Sequence, residues 1–345
     1  MKIIRLCILT VAMLAAGTLC AENYKTLLVL DNYTIPTDLK GAKIGRFIMP
    51  QKETISILKD ASELFEISEN RELRLRRNKI ITATSAMSYL ITVQYGNKQK
   101  TFEIVKDDFI KNKVVAHRGA WKNSGASQNT LGALQYAIDL GCQASEFDVW
   151  MTKDKRIAVN HDADLQGLII EKRALADLQQ IKLNNNEIIP TLEDYIHLIK
   201  GQNKTRIVLE LKSNKGNDNI LALADSCVQI VHRMNAQAWV DYISFDYRGL
   251  KLIRSMDPTA HTSFLEHSVD LDLQKIDAMS GIDYHFSLYD KIEKLHERCK
   301  MLKLTMNAWT VNDQERMEHF LDMDIDFITS DEPEMLLKII ELRKQ

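Results

Sequence analysis

From residue 114 onward, short apolar runs alternate with longer stretches in which apolar positions recur every three or four residues. The short runs cover 114–118, 144–150, 156–161, 205–211, 241–246, 261–265, 281–286, 303–310 and 325–329. Their length and their boundaries predict buried strands. Between most of them lie stretches of helical period, such as NTLGALQYAIDLG, TLEDYIHLIK and DKIEKLHERCKML. Repeated strand–helix units predict a parallel sheet. Nine candidates compete for the eight places of a (β/α)8 TIM barrel. The turn MTKDK between 144–150 and 156–161 is too short for a crossover helix. The run 156–161 therefore reads as a hairpin-like extension, and eight strands remain.

Residues 22–108 follow a different pattern. KTLLVL, RFIMP, LFEISENRELRLRR and SYLITVQYGNKQKTFEIV are short runs, several alternating, separated by polar turns. Tyr95-Gly96-Asn97 between two such runs is a hairpin signal. A small all-β sandwich is expected, its hydrophobic spacing similar to immunoglobulin-like or cadherin-like modules. The expected organisation is a sandwich at 22–110 and a barrel at 112–345. The sandwich carries no histidine or cysteine, so its expected role is packing or spacing against the barrel, and no partner is assigned to it.

The leading stretch MKIIRLCILTVAMLAAGTLCAENYK has Lys2 and Arg5, then an apolar run, then small residues. It reads as a signal peptide over 1–21, cleaved after Ala21 and too short for a transmembrane span. Export to the periplasm or beyond is expected. Lipid anchoring through Cys20 is the alternative, disfavoured because Leu19 stands where a small residue is usual. Three of the five cysteines lie beyond this segment: Cys142, Cys227 and Cys299. They are odd in number, far apart and without a CxxC pair, which argues against a disulfide framework and a structural zinc site. Lys plus Arg, 45, nearly balance Asp plus Glu, 47, so no electrostatic case for nucleic acid exists. Anion recognition has to be local.

Barrel active sites lie at the C-terminal ends of the strands. The first strand, in VVAHRGAW, ends in His117 and Arg118, awkward core residues but apt ones where an anion binds. The second carries Glu146 and Asp148 in SEFDVW, and the extension ends in VNHD with His161. RIVLELKS carries Glu210 and Lys212, and the 303–310 strand leads to Trp309 in NAWTVND. Residues two apart on a strand share a face, so Glu146 pairs with Asp148 and Glu210 with Lys212. Three carboxylates converging from neighbouring strands repel one another without a cation, and hard oxygen donors suit Ca2+ or Mg2+. Each feature alone has a bland reading as surface charge or core. Their joint occurrence at strand ends points to one site.

AHRGA, QNTLGALQYAIDLGCQASEFDVWMTKDKRIAVNHD, LELK, AWTVND and DFITSDEP, in this order over about residues 112–340, resemble the glycerophosphodiester phosphodiesterase family. The resemblance implies a (β/α)8 barrel and metal-dependent hydrolysis of glycerophosphodiesters to glycerol 3-phosphate and an alcohol. It implies one divalent ion, Ca2+ or Mg2+, on Glu146, Asp148 and Glu210, acid/base histidines at His117 and His161, and phosphate-binding cations at Arg118 and Lys212. Trp309 is expected to wall the pocket. Gln128 stands where the family usually has Glu, which keeps hydrogen bonding but loses charge. Altered substrate positioning is expected from it, with activity retained. Residues 162–195 leave room for only a small lid. A phospholipase-type enzyme on the same scaffold is one alternative, and a binding protein without turnover another. The first would need a long apolar loop, and the second fits poorly with an intact set of histidines and carboxylates.

Overall fold

A computed structural model describes residues 26–49, 53–213 and 219–344. The leader expected at 1–21, with Cys20, lies outside the described residues. Within them, no helix is long and apolar enough to cross a membrane.

Eight strands form the N-terminal region: β1 (Val29–Leu30), β2 (Thr34–Ile35), β3 (Lys43–Ile48), β4 (Ile55–Asp60), β5 (Phe65–Ile67), β6 (Glu72–Leu75), β7 (Ser88–Tyr95) and β8 (Lys98–Lys106). They make two four-stranded sheets, β1-β3-β6-β5 and β2-β8-β7-β4. Phe47 on β3 meets Phe102 on β8 edge to face at 5.5 Å, and Phe65 on β5 meets Tyr89 on β7 at 5.8 Å. These contacts close the sandwich, because alternating residues of each sheet point into the shared core. The β7–β8 hairpin turns through Gly96-Asn97, with Tyr95 opposite Lys98 and Gly96 at positive φ. Strand β4 was not among the runs singled out in the sequence. Ile55 and Ile57 are only partly buried and Leu58 is exposed, so its pattern is weak.

The barrel follows: β9 (Val114–Ala116), β10 (Ala144–Met151), β11 (Ile157–Val159), β12 (Asp164–Leu165), β13 (Leu168–Ile169), β14 (Arg206–Leu211), β15 (Val240–Ser244), β16 (Thr262–Phe264), β17 (Gly281–His285), β18 (Thr305–Trp309) and β19 (Phe327–Ser330). Parallel pairing runs β9-β10-β14-β15-β16-β17-β18-β19 and returns to β9, closing eight strands into a ring. Strand β11 is antiparallel to β10, with Val159 opposite Val149, so it is an extension outside the ring, as the short turn predicted. The helices between strands begin and end at local signals. Thr130 caps the helix Leu131–Leu140 and Gly141, at φ 76°, ends it. Thr191 and Asp194 form a capping box on Leu192–Ile199. Cys142, Cys227 and Cys299 are free and buried.

The sandwich and the barrel share one continuous hydrophobic core, which runs from Phe47 and Phe102 to Trp239 and Phe147. Phe109, between the two, meets Trp239 edge to face at 6.4 Å. Polar contacts reinforce the junction. Lys200 pairs with Glu103 at 2.8 Å, and the Asn203 amide donates to the Lys106 carbonyl at 2.9 Å.

Candidate active site

Local pattern sets the site. On β10, Phe147 points outward and stacks on Tyr195 at 4.4 Å, which sends Glu146 and Asp148 into the barrel. The β10–β14 register places Asp148 directly beside Glu210. Glu146, Asp148 and Glu210 are all buried, and each offers an oxygen within 4.8 Å of the others. Seven of the eight sequence-predicted residues line a cavity of about 240 Å³ at the strand ends: His117, Arg118, Glu146, His161, Glu210, Lys212 and Trp309. Asp148 lies just beneath, with its carboxylate 3.2 Å from the Lys212 ammonium. Ile243, Phe245 and Leu265 complete an apolar wall with Trp309. Phe245 packs edge to face on Trp309 at 5.6 Å, and the indole N–H donates to the Asp283 carbonyl.

The electrostatics are those of a site short of positive charge. Burial, then the Asp148 and Glu210 charges, push the Glu146 carboxyl well above the usual carboxylate range. Burial and Asp148 raise Glu210 to about 8, against the pull of Lys212. Asp148 is different. Burial raises it, but Lys212, His161, the Asn129 amide and Arg118 together outweigh burial and hold it low. Lys212 is itself held above its usual value, because Glu210 and Asp148 overcome its burial. Glu146 Oε1 is buried and accepts no hydrogen bond. A divalent cation fits this set. It would give the orphaned oxygen a partner and let three neighbouring carboxylates ionise together.

Both histidines are oriented through Nδ1. His117 Nδ1 lies 2.7 Å from Asp331, whose other oxygen accepts from the Asn312 amide at 2.7 Å. His161 Nδ1 lies 2.7 Å from Asp162. Carboxylates accept only, so Nδ1 carries the proton and Nε2 is left for chemistry. Burial, with the Lys212 and Arg118 charges, lowers His161, and Asp148 opposes them.

Three supporting residues carried no assigned role in the sequence. Asn129, at φ 59°, donates to Asp148 at 2.8 Å and accepts from the Asp148 N–H at 3.0 Å, fixing that carboxylate. Asp331 and Asn312 anchor His117. All three lie inside stretches recognised as motifs, QNT, SDEP and TVND, but spacing alone does not show which side chain turns inward. Gln128, at the position of the usual Glu, accepts from the Arg118 guanidinium at 2.9 Å. Residues 162–195 supply the β12–β13 hairpin and the short helix Leu175–Leu178.

Buried carboxylates, oriented imidazoles and cations that converge on a barrel mouth equip a hydrolase that acts on an anionic ester. The comparisons with known proteins make that class specific. The pattern of the Glycerophosphoryl diester phosphodiesterase family matches residues 117–335, and the chain belongs to that family. A glycerophosphodiester phosphodiesterase of Caldanaerobacter subterraneus is 27% identical over 247 residues, covering 67% of this chain and 98% of its own. A crystal structure of a glycerophosphodiester phosphodiesterase from Parabacteroides distasonis superposes with a TM-score of 0.66 at 37% identity, covering 70% of this chain and all of that one. An Oleispira antarctica phosphodiesterase, solved with the product sn-glycerol-3-phosphate, shares the fold at 24% identity and TM-score 0.59, covering 66% of this chain and 96% of its own.

Proposed function

We propose that the chain hydrolyses glycerophosphodiesters to glycerol 3-phosphate and an alcohol, with one divalent ion, Ca2+ or Mg2+, held by Glu146, Asp148 and Glu210. The observation that carries this reading is the buried, mutually repelling carboxylate set, with the unpartnered Glu146 oxygen, in one cavity with both histidines. When bound, the ion supplies positive charge that neutralises the non-bridging phosphate oxygens. Arg118 offers a planar fork of donors to the same oxygens, and Lys212 adds a point charge. One ring, neutral, takes the proton of the attacking hydroxyl on its Nε2, while the other, as the imidazolium, delivers its Nε2 proton to the leaving oxygen. Asp331 and Asp162 keep Nδ1 protonated on both rings, which leaves the neutral ring a free Nε2 and stabilises the charged one. Trp309, Phe245 and Leu265 exclude water on one side, which strengthens every charge interaction inside. The apolar leader at 1–21 supports export, so the substrate would be met outside the cytoplasm.

Product analysis tests the assignment. Incubation of the full chain with a glycerophosphodiester is expected to release glycerol 3-phosphate and the free alcohol. Release of glycerol and a phosphoalcohol, or no cleavage at all by folded protein, would overturn it.

A further inference from the structure

We propose that Thr329 is a further binding residue of the site, whose hydroxyl donates a hydrogen bond to the reacting oxygen that exchanges a proton with His117. The inference rests on the phosphodiesterase reading above. It adds a residue to which the sequence assigned no role.

Inward positions of a TIM barrel are ordinarily filled by bulky branched apolar side chains. Three adjacent strands break that rule here. Asp283 on β17, Asn307 on β18 and Thr329 on β19 point inward, because Ile282, Tyr284, Met306, Ala308 and Ile328 take the alternate positions and pack outward against the helices. All three inward residues are buried. The Asn307 amide has two N–H groups, and both are engaged. One donates to Asp283 Oδ1 and the other to Thr329 Oγ1, each at 2.8 Å. Thr329 is therefore the acceptor in that contact, and its own hydrogen is left for another partner. Among the described residues its side chain makes no second hydrogen bond.

The partner comes from the cavity. Thr329 lines the same cavity as His117. The β19–β9 register sets Thr329 beside Val115, one inward position beneath His117. Ile243, Phe245 and Leu265 on the same wall are apolar, and the Trp309 indole N–H is already taken by the Asp283 carbonyl. An oxygen that meets His117 Nε2 thus finds its nearest uncommitted hydroxyl donor in Thr329. Packing alone does not account for the polar layer. Asn307 Oδ1 is buried without a partner, a loss that an apolar layer would avoid. Local rules broken inside a well-formed scaffold point to function.

The test compares wild type, Thr329→Val and Thr329→Ser, each alone and with His117→Ala, on one glycerophosphodiester, following release of glycerol 3-phosphate. Thr329→Val keeps the shape and removes the hydroxyl. It is expected to lower kcat/KM about tenfold, one hydrogen bond's worth, while Thr329→Ser stays within about threefold of wild type. Thr329→Val also deprives an Asn307 N–H of its acceptor, so rates are read at a temperature where circular dichroism shows every variant folded. In the His117→Ala background the valine substitution is expected to cost less than about twofold, because both residues act on one oxygen. A full tenfold loss in that background would place Thr329 elsewhere in the reaction and overturn the proposal. Equal losses in Thr329→Val and Thr329→Ser would assign the effect to the methyl's packing, and an unchanged rate in Thr329→Val would leave Thr329 a structural acceptor only; either result overturns it. The two readings fail differently. If the wild type releases no glycerol 3-phosphate, the phosphodiesterase reading falls and takes this one with it, whereas a cleaving wild type matched by Thr329→Val removes Thr329 alone.

Discussion

In the proposed mechanism the His117 and His161 rings perform different tasks on the same atom type, Nε2, and each depends on the carboxylate at its Nδ1. His161→Ala is expected to lower turnover by about 10² or more while metal affinity stays unchanged. Near wild-type turnover would remove His161 from the mechanism. Asp331→Asn puts an amide where His117 needs an acceptor, so kcat is expected to fall at least about tenfold with KM little changed. A change confined to KM would show that Asp331 positions substrate and not the ring. Gln128→Glu would restore a charge beside Arg118. A guanidinium already paired with a carboxylate attracts phosphate less, so KM is expected to rise by about fivefold, the worth of about 1 kcal/mol. At this scale the residues that meet in the cavity were legible from sequence, because strand ends and the two-residue period select them. Their orienting partners were not. Asn129 reaches Asp148 only because its backbone turns to positive φ, and Asp331 meets His117 only because β19 pairs with β9 across the barrel seam.

At the scale of elements, the turn after β9 decides how the helix Leu131–Leu140 meets the barrel. Gly119 sits at φ +83°, and a Cβ there would lie 2.6 Å from the Ala133 Cβ. Gly119→Ala is therefore expected to destabilise the fold by about 2 kcal/mol and to displace His117 and Arg118, which a shifted urea midpoint together with lost activity would reveal. Unchanged stability would show that the turn relaxes freely. The barrel strands were readable because β9, β10 and β14 are short, apolar and bounded by turn signals. The sandwich was readable as a class, and β1 and β5 lie inside runs that the sequence marks, but β2 is too short to carry a period of its own. It exists because β8 pairs with it, and sequence periodicity cannot report a pairing partner. The hairpin β12–β13 belongs to the same category.

The whole molecule is tied together across the junction of sandwich and barrel. Lys100 of β8 lies 2.9 Å from His232 Nδ1, and His232 Nε2 lies 2.8 Å from Asp257. Burial, with the Lys100 charge, lowers His232 against the pull of Asp257. The folded chain thus refuses a proton that the unfolded chain accepts below about pH 6.5. Stability is expected to fall as pH drops from 7.5 to 5.5, and His232→Gln is expected to remove about 1 kcal/mol of that fall. The same slope in variant and wild type would place the pH dependence elsewhere. A core shared across the junction also predicts a single cooperative unfolding transition for the full chain.

The most direct test of the account is a titration of the chelated protein with Ca2+ and with Mg2+, following diester hydrolysis and thermal stability in the same samples. A cation held by the three buried carboxylates, as proposed, predicts that chelation abolishes hydrolysis and that the restoring ion also raises Tm, adding about 2.7 kcal/mol of stability at a hundredfold excess over Kd. Glu210→Gln should weaken both effects in parallel and recover partly at higher ion concentration. Full hydrolysis in chelator, with no ion shifting Tm, would contradict the assignment of Glu146, Asp148 and Glu210 as a metal site.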